Sequence, residues 1–255
     1  MRRTNVLIVA VILFIFWGIM GCATNRLKEE RANAHLDVGI AYIKAGQHTI
    51  ALKELLEAEK LNPKNPEIYY YLGISYHGEG LVKEAIKGFK KAVNLKPDYS
   101  EAHNYLGTIY FSMGLWDEAI VEFNEALSNI LYSRPVTALY NLGKAYYKKG
   151  DYQTALAKYN EAVKKEPNTV LLPLIENDIG IINFDTGNID EAVKHFKKSL
   201  KMVPLFTESH YWLGQCYVKQ GNVRGAIEEF RTVIKTAPES EFGKKAEESL
   251  EAVEK

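Results

Sequence analysis

Cysteine is scarce. Cys22 and Cys216 are the only two in the chain, so no disulfide framework staples the fold and no thiol pair is spaced to hold zinc. An excess of charge of one sign is lacking too. The 32 basic and 32 acidic residues cancel, and loss of Arg2 and Arg3 with an N-terminal segment would leave 30 against 32. That balance removes the electrostatic reason to propose a nucleic-acid partner. The glycines do not form a G-x-G-x-x-G phosphate loop. His35, His48, His77, His103, His195 and His210 show no metal-ligand spacing. No catalytic constellation is present, and nothing calls for a cofactor, a metal or a small-molecule substrate.

One uncharged apolar run, Val6 to Met20, follows the basic start Met1-Arg2-Arg3. A basic n-region before about 7–15 apolar residues is the pattern of a secretory signal peptide, and a spanning helix usually needs about 20. The run ends in Ile19-Met20-Gly21-Cys22, which resembles a bacterial lipobox. Met20 stands where a small residue is usual. The resemblance implies a signal peptide over 1–21, lipidation of Cys22, and a tether over 22–31. Each buried CH₂ of the acyl chains contributes about 0.8 kcal/mol to anchoring. At about 3.5 Å per extended residue, residues 23–31 would reach about 30 Å. Ala23 stands where an inner-membrane retention Asp would be, which by the same resemblance points to an outer-membrane lipoprotein facing the periplasm. The other reading of this segment is an uncleaved membrane helix with an incidental cysteine.

The rest of the chain is one motif written six times. Gly39, Gly73, Gly107, Gly143, Gly180 and Gly214 are spaced by 34, 34, 36, 37 and 34 residues. Seven residues after each stands a second glycine: Gly46, Gly80, Gly114, Gly150, Gly187 and Gly221. Twelve residues after each stands Ala51, Ala85, Ala119, Ala155, Ala192 or Ala226. Four residues beyond the alanine come Leu55, Phe89, Phe123, Tyr159, Phe196 and Phe230, and Pro63, Pro97, Pro167, Pro204 and Pro238 close five of the units. This resembles the tetratricopeptide repeat (TPR), a helix–turn–helix of about 34 residues. It implies an all-α fold: an α-solenoid, wound as a right-handed superhelix, of six repeats at 32–65, 66–99, 100–135, 136–172, 173–206 and 207–240. A capping helix over 241–255 completes it.

Each column has a physical reading. The second glycine ends helix A in a left-handed residue that costs least without a Cβ. Thr49, Asp117 and Asp190 are expected to cap helix B. The alanine lets helix B approach the first glycine, and the large residue one turn on fills the space beyond. A single helix pair cannot bury this stripe, so neighbours must stack. Glu176 and Asn183 interrupt the apolar columns of the fifth repeat. His35, His103 and His210 share one column, where packing is the expected role. Cys216 is expected to be a buried thiol.

In tetratricopeptide superhelices the A helices line a concave face, with exposed positions near 2, 5, 9, 12 and 13 of each repeat. By that register the candidate protein-binding groove comprises Leu36, Ile40, Ile43, Tyr70, Ile74, His77, Asn104, Thr108, Phe111, Tyr140 and Tyr147. Its N-terminal half is an apolar and aromatic stripe, the composition of a protein-recognition groove. It lacks the asparagine of the Lys/Asn carboxylate clamp.

The lipobox, short tether and six repeats resemble the type IV pilus biogenesis lipoproteins, the PilF/PilW pilotin family. Asn129, Leu131, Tyr132 and Arg134, leading into Asn141-Leu142-Gly143, add a more particular likeness at the junction of repeats three and four. The resemblance implies a non-enzymatic protein that binds outer-membrane secretin subunits and promotes their localisation and assembly. A scaffold in outer-membrane protein assembly or envelope maintenance is the alternative, and an enzyme using Glu176 in the irregular fifth repeat a third.

Overall fold

A computed structural model describes residues 25–254. Thirteen helices and no strands are found among them. Helix α1 covers residues 25–44. It is followed by α2 (His48–Leu61), α3 (Pro66–Gly78), α4 (Val82–Leu95), α5 (Ser100–Ser112), α6 (Trp116–Ser128), α7 (Pro135–Lys148) and α8 (Tyr152–Lys165). Then come α9 (Leu172–Asp185), α10 (Ile189–Met202), α11 (Thr207–Lys219), α12 (Val223–Thr236) and α13 (Glu241–Glu254). Packing follows chain order, as an α-solenoid requires. Helix α3 lies on α4, α7 on α8, α9 on α10 and α11 on α12, and α6 packs on α7 and α10 on α11. The chain divides into two compact units, one ending at Ile109 and one beginning at Tyr110.

The turns explain the periodicity. Gly46, Gly80, Gly114, Gly150, Gly187 and Gly221 all have φ between 72° and 80°, where any Cβ is strained. Each ends a helix A, and a few residues later helix B begins. The first glycine column has a different task. A Cβ on Gly73, Gly143, Gly180 or Gly214 would come within 2.5–2.8 Å of the ring of Phe89, Tyr159, Phe196 or Phe230. So the bare glycine admits the aromatic face itself, while the alanine column, 0% exposed at all six positions, seals the seam. Each such ring, fully buried, contributes on the order of 1.5–3 kcal/mol.

Three expectations need correction. Thr49, Asp117 and Asp190 are not N-caps: the caps of α2, α6 and α10 are Gln47, Leu115 and Asn188. These side chains reach the next repeat instead. Thr49 Oγ1 donates to Glu79 Oε1 at 2.8 Å, Gln220 Nε2 donates to Asp190 Oδ1 at 2.7 Å, and Lys149 Nζ donates to Asp117. Second, residues 25–31 are helical and form the opening turns of α1, not an extended tether. Good helix formers fill Leu27 to Arg31, and Arg26 pairs with Glu30 at 3.0 Å, an i,i+4 contact that favours helix. Helical residues advance about 1.5 Å each, so this stretch spans less than half the extended reach. Third, the fifth repeat packs well: Ile175, Ile179 and Ile182 join Tyr159 in one core cluster, and Asn183 turns its amide back onto the Ile179 carbonyl at 2.9 Å. The readings for residues 1–21 and for lipidated Cys22 lie outside the described residues. No described helix is long and apolar enough to cross a membrane.

Candidate functional site

The predicted groove residues divide into three groups. Leu36 (4% exposed) and Tyr70 (6%) are core, not surface. Both occupy the fifth position of their repeats, and so does buried Asn177. A helical side chain leans toward the preceding turn, which carries these three into the packing between helices, whereas Asn104 and Tyr140 at the same position are half-buried. Tyr70 is enclosed by Tyr71, Phe89, Tyr99 and Tyr105, with ring centroids 5.0–5.9 Å apart. In the first unit Ile40, Ile43, Ile74 and Asn104 are half-buried, while His77 and Thr108 are exposed. A cavity of about 400 Å³ in that unit is walled by other residues, among them Glu59, Tyr69 and Lys91.

Phe111, Tyr140 and Tyr147 come together in the second unit. With Lys144, Lys148, Leu174, Asp178, Ile181, Glu208 and Trp212 they line a cavity of about 440 Å³. Its walls are α5, α7, α9 and α11, all A helices, and α7 touches α9 as α9 touches α11. Position 2 of the repeat register would have found Leu174 and Glu208. Asp178 and Trp212 stand at position 6, which the register assigns to no face.

The polar chemistry of this cavity is concentrated on two carboxylates. Asp178 accepts from the Tyr159 hydroxyl at 3.1 Å, and Asn177 Nδ2 stands 3.5 Å away. Burial pushes its carboxyl above the usual carboxylate range, against the pull of Lys144 and these donors. Glu208 is raised as well, first by burial and then by the like charge of Asp178. Burial and the nearby Asp178 also raise the Tyr140 and Tyr159 hydroxyls. Tyr147 donates to Asp185 Oδ2 at 2.9 Å. Lys144 Nζ lies over the Phe111 and Tyr140 rings at 5.4 and 5.5 Å, and Lys148 Nζ over Tyr147 at 5.6 Å. The cavity thus combines aromatic faces with charges of both signs.

The Glu176 site is a repeat feature. His195 Nδ1 stands 2.6 Å from Glu176 Oε2, with Lys198 at 3.7 Å. The same A-to-B pairing, nineteen residues apart, joins His35 to Glu54 at 2.7 Å and His210 to Glu229 at 2.5 Å. A pair that recurs in three repeats at one structural position ties helix A to helix B. His103 and His210 also bond through Nε2 to the carbonyls of Pro97 and Pro204, at 3.0 and 2.9 Å, as the packing role of that column requires.

Tetratricopeptide-repeat family profiles match residues 39–80, 79–114, 98–164 and 177–241. None of the curated proteins matches the chain in sequence. Among solved structures, Pseudomonas aeruginosa PilF is similar with a TM-score of 0.75 at 15% identity, over 87% of this chain and 99% of that one. PilW, described as a widely conserved type IV pilus biogenesis factor, gives 0.74 at 22% identity over 84% and 97%. YrrB, described as a TPR protein with an unusual peptide-binding site, gives 0.59 at 21% identity over 76% and 97%. At these identities the likeness is one of fold.

Proposed function

We propose that this chain, which belongs to the tetratricopeptide-repeat proteins, is a lipid-anchored scaffold of type IV pilus biogenesis that binds secretin subunits and promotes their localisation and assembly at the outer membrane. The observation that carries the scaffold reading is the cavity on the A helices of the second unit, where four aromatic side chains and two half-buried carboxylates meet. It offers recognition chemistry, stacking and charge, with Cys216 and the three His–Glu pairs accounted for by packing. Support for the pilus reading is the fold likeness to PilF and PilW over nearly their whole lengths, together with the lipobox-like Ile19-Met20-Gly21-Cys22. An anchor at Cys22 would hold scaffold and partner in one layer and raise their effective concentration.

Affinity capture of the native protein from envelope extracts, with mass spectrometry of what comes down, tests this reading. A secretin as the dominant partner is expected. An outer-membrane assembly factor instead would leave the scaffold standing and reject the pilus role. Capture by Ile40→Glu/Ile74→Glu, read beside Tyr147→Ala, then assigns the partner to the first unit or the second. Cys22→Ser should give folded protein that leaves the membrane fraction on carbonate washing. Retention would favour a spanning helix over a lipid anchor.

A further inference from the structure

The cavity of the second unit contains a carboxylate that its own surroundings compensate only in part. Glu208 stands in the first turn of α11 and lines the cavity beside Trp212, Tyr140 and Tyr147. Among the described residues it forms no ion pair within 4.0 Å. The lysines that share the cavity are engaged on aromatic faces, Lys144 over Phe111 and Tyr140 and Lys148 over Tyr147. Asp178, in contrast, has its hydroxyl donor in Tyr159. Burial and the charge of Asp178 work against ionised Glu208, and the Trp212 N–H and Lys144 offset them only in part, so a cation arriving there would complete the compensation.

Trp212 supplies the second observation. Its indole Nε1 is shut off from solvent and has no hydrogen-bond partner of normal geometry, although the N–H is near enough to Glu208 to lower that carboxyl's pKa. A buried unmet donor is costly. The ring is held by Phe184 and Tyr211, with centroids 5.1 and 5.4 Å away, so its plane is fixed before anything binds. At about 440 Å³ the cavity falls in the size range of ligand sites, about 300–1,000 Å³.

We propose that this cavity receives an arginine or lysine side chain from an extended segment of the bound partner, its cation paired with Glu208 and its stem laid on the Trp212 and Tyr140 rings. A planar guanidinium fits best: it pairs with a carboxylate through two parallel N–H donors and stacks on indole. The inference rests on the scaffold reading and adds the chemistry of what is held. With a net charge of zero the chain has little long-range field to steer such a segment, so selection falls to this short-range contact.

The test uses the full-length protein and end-blocked, fluorescein-labelled decapeptide pools whose central residue is arginine, lysine, citrulline or glutamate, read by fluorescence anisotropy. Arginine-centred peptides are expected to bind at least about tenfold more tightly than citrulline-centred ones, which keep the shape and lose the charge. Glu208→Gln should erase that preference with an unchanged melting curve, and Glu208→Lys should shift it toward glutamate-centred peptides. Trp212→Leu should weaken every pool. Equal binding of arginine and citrulline pools, no binding of any pool, or a preference that survives Glu208→Gln would each overturn the cation site. A partner captured from envelope extracts equally by wild type and Glu208→Gln would sink this proposal and keep the scaffold, whereas no captured partner would count against the scaffold itself.

Discussion

Gly143 faces the ring of Tyr159 so closely that a methyl group on it would lie 2.5 Å from Tyr159 Cε1. The ring cannot drift aside, because it is 1% exposed and its hydroxyl donates to Asp178 at 3.1 Å. Alanine is the better helix former by up to about 1 kcal/mol, and overpacking opposes it by about 1–3 kcal/mol. We therefore expect Gly143→Ala to lower the melting temperature and Tyr159→Leu to recover part of the loss in the double variant. A variant as stable as wild type would show that the α7–α8 seam can open.

His210 is expected to give the fold a pH-dependent component. Burial lowers its pKa, but the Glu229 carboxylate and the Pro204 carbonyl outweigh that and hold it above the ordinary histidine value. Both ring nitrogens face acceptors, Nδ1 at 2.5 Å and Nε2 at 2.9 Å, so the doubly protonated ring satisfies both. A raised folded-state pKa gives stability that is complete below the unfolded value, about 6.5, and fades as pH rises through the folded value. The melting temperature of wild type should exceed that of His210→Gln most at about pH 6, and the gap should narrow on going alkaline. A gap that widens with pH would reverse the assignment.

Cys216 should be unreactive while the chain is folded. It is 0% exposed, and burial pushes its thiol up to about 12. In a Cys22→Ser background, labelling by a disulfide reagent at about pH 8 should be slower than in urea by on the order of a thousandfold, from the thiolate fraction alone. Fast labelling of the native protein would mean that α11 opens readily from α12.

The junction between α6 and α7 offers a paired test. Tyr132 is 7% exposed and packs with Ala126 and Ala138, while its neighbour Leu131 is 84% exposed. Asn129 Oδ1 caps the turn by accepting from the Leu131 amide at 2.9 Å. Tyr132→Ala should destabilise by about 3 kcal/mol through the cavity it leaves, and Leu131→Ala by less than about 0.5 kcal/mol. If capture of the partner falls with Leu131→Ala while the melting curve is unchanged, this turn is part of the binding surface.

The helix–turn–helix units were legible because their requirements are local. A left-handed turn needs glycine at Gly46 or Gly150 whatever surrounds it, and a ring at Phe196 needs a bare Gly180 sixteen residues earlier. Such demands recur with the period of the unit and so appear as columns. Side-chain roles at the ends of helices were less legible. Thr49, Asp117 and Asp190 have the residue types of caps, yet the donors and acceptors they meet are Glu79, Lys149 and Gln220, about one repeat further on.

The candidate site shows the same division. Sequence period by itself assigned Phe111, Tyr140 and Tyr147 to A helices. Tertiary structure alone decided that Tyr70 and Leu36 face inward, that Asp178 meets the Tyr159 hydroxyl, and that Glu208 and Trp212 share one cavity with residues nearly a hundred positions earlier. The reason is physical. Periodicity reports the direction a side chain leaves its own helix, but burial and charge balance depend on what the neighbouring helices bring to the same space.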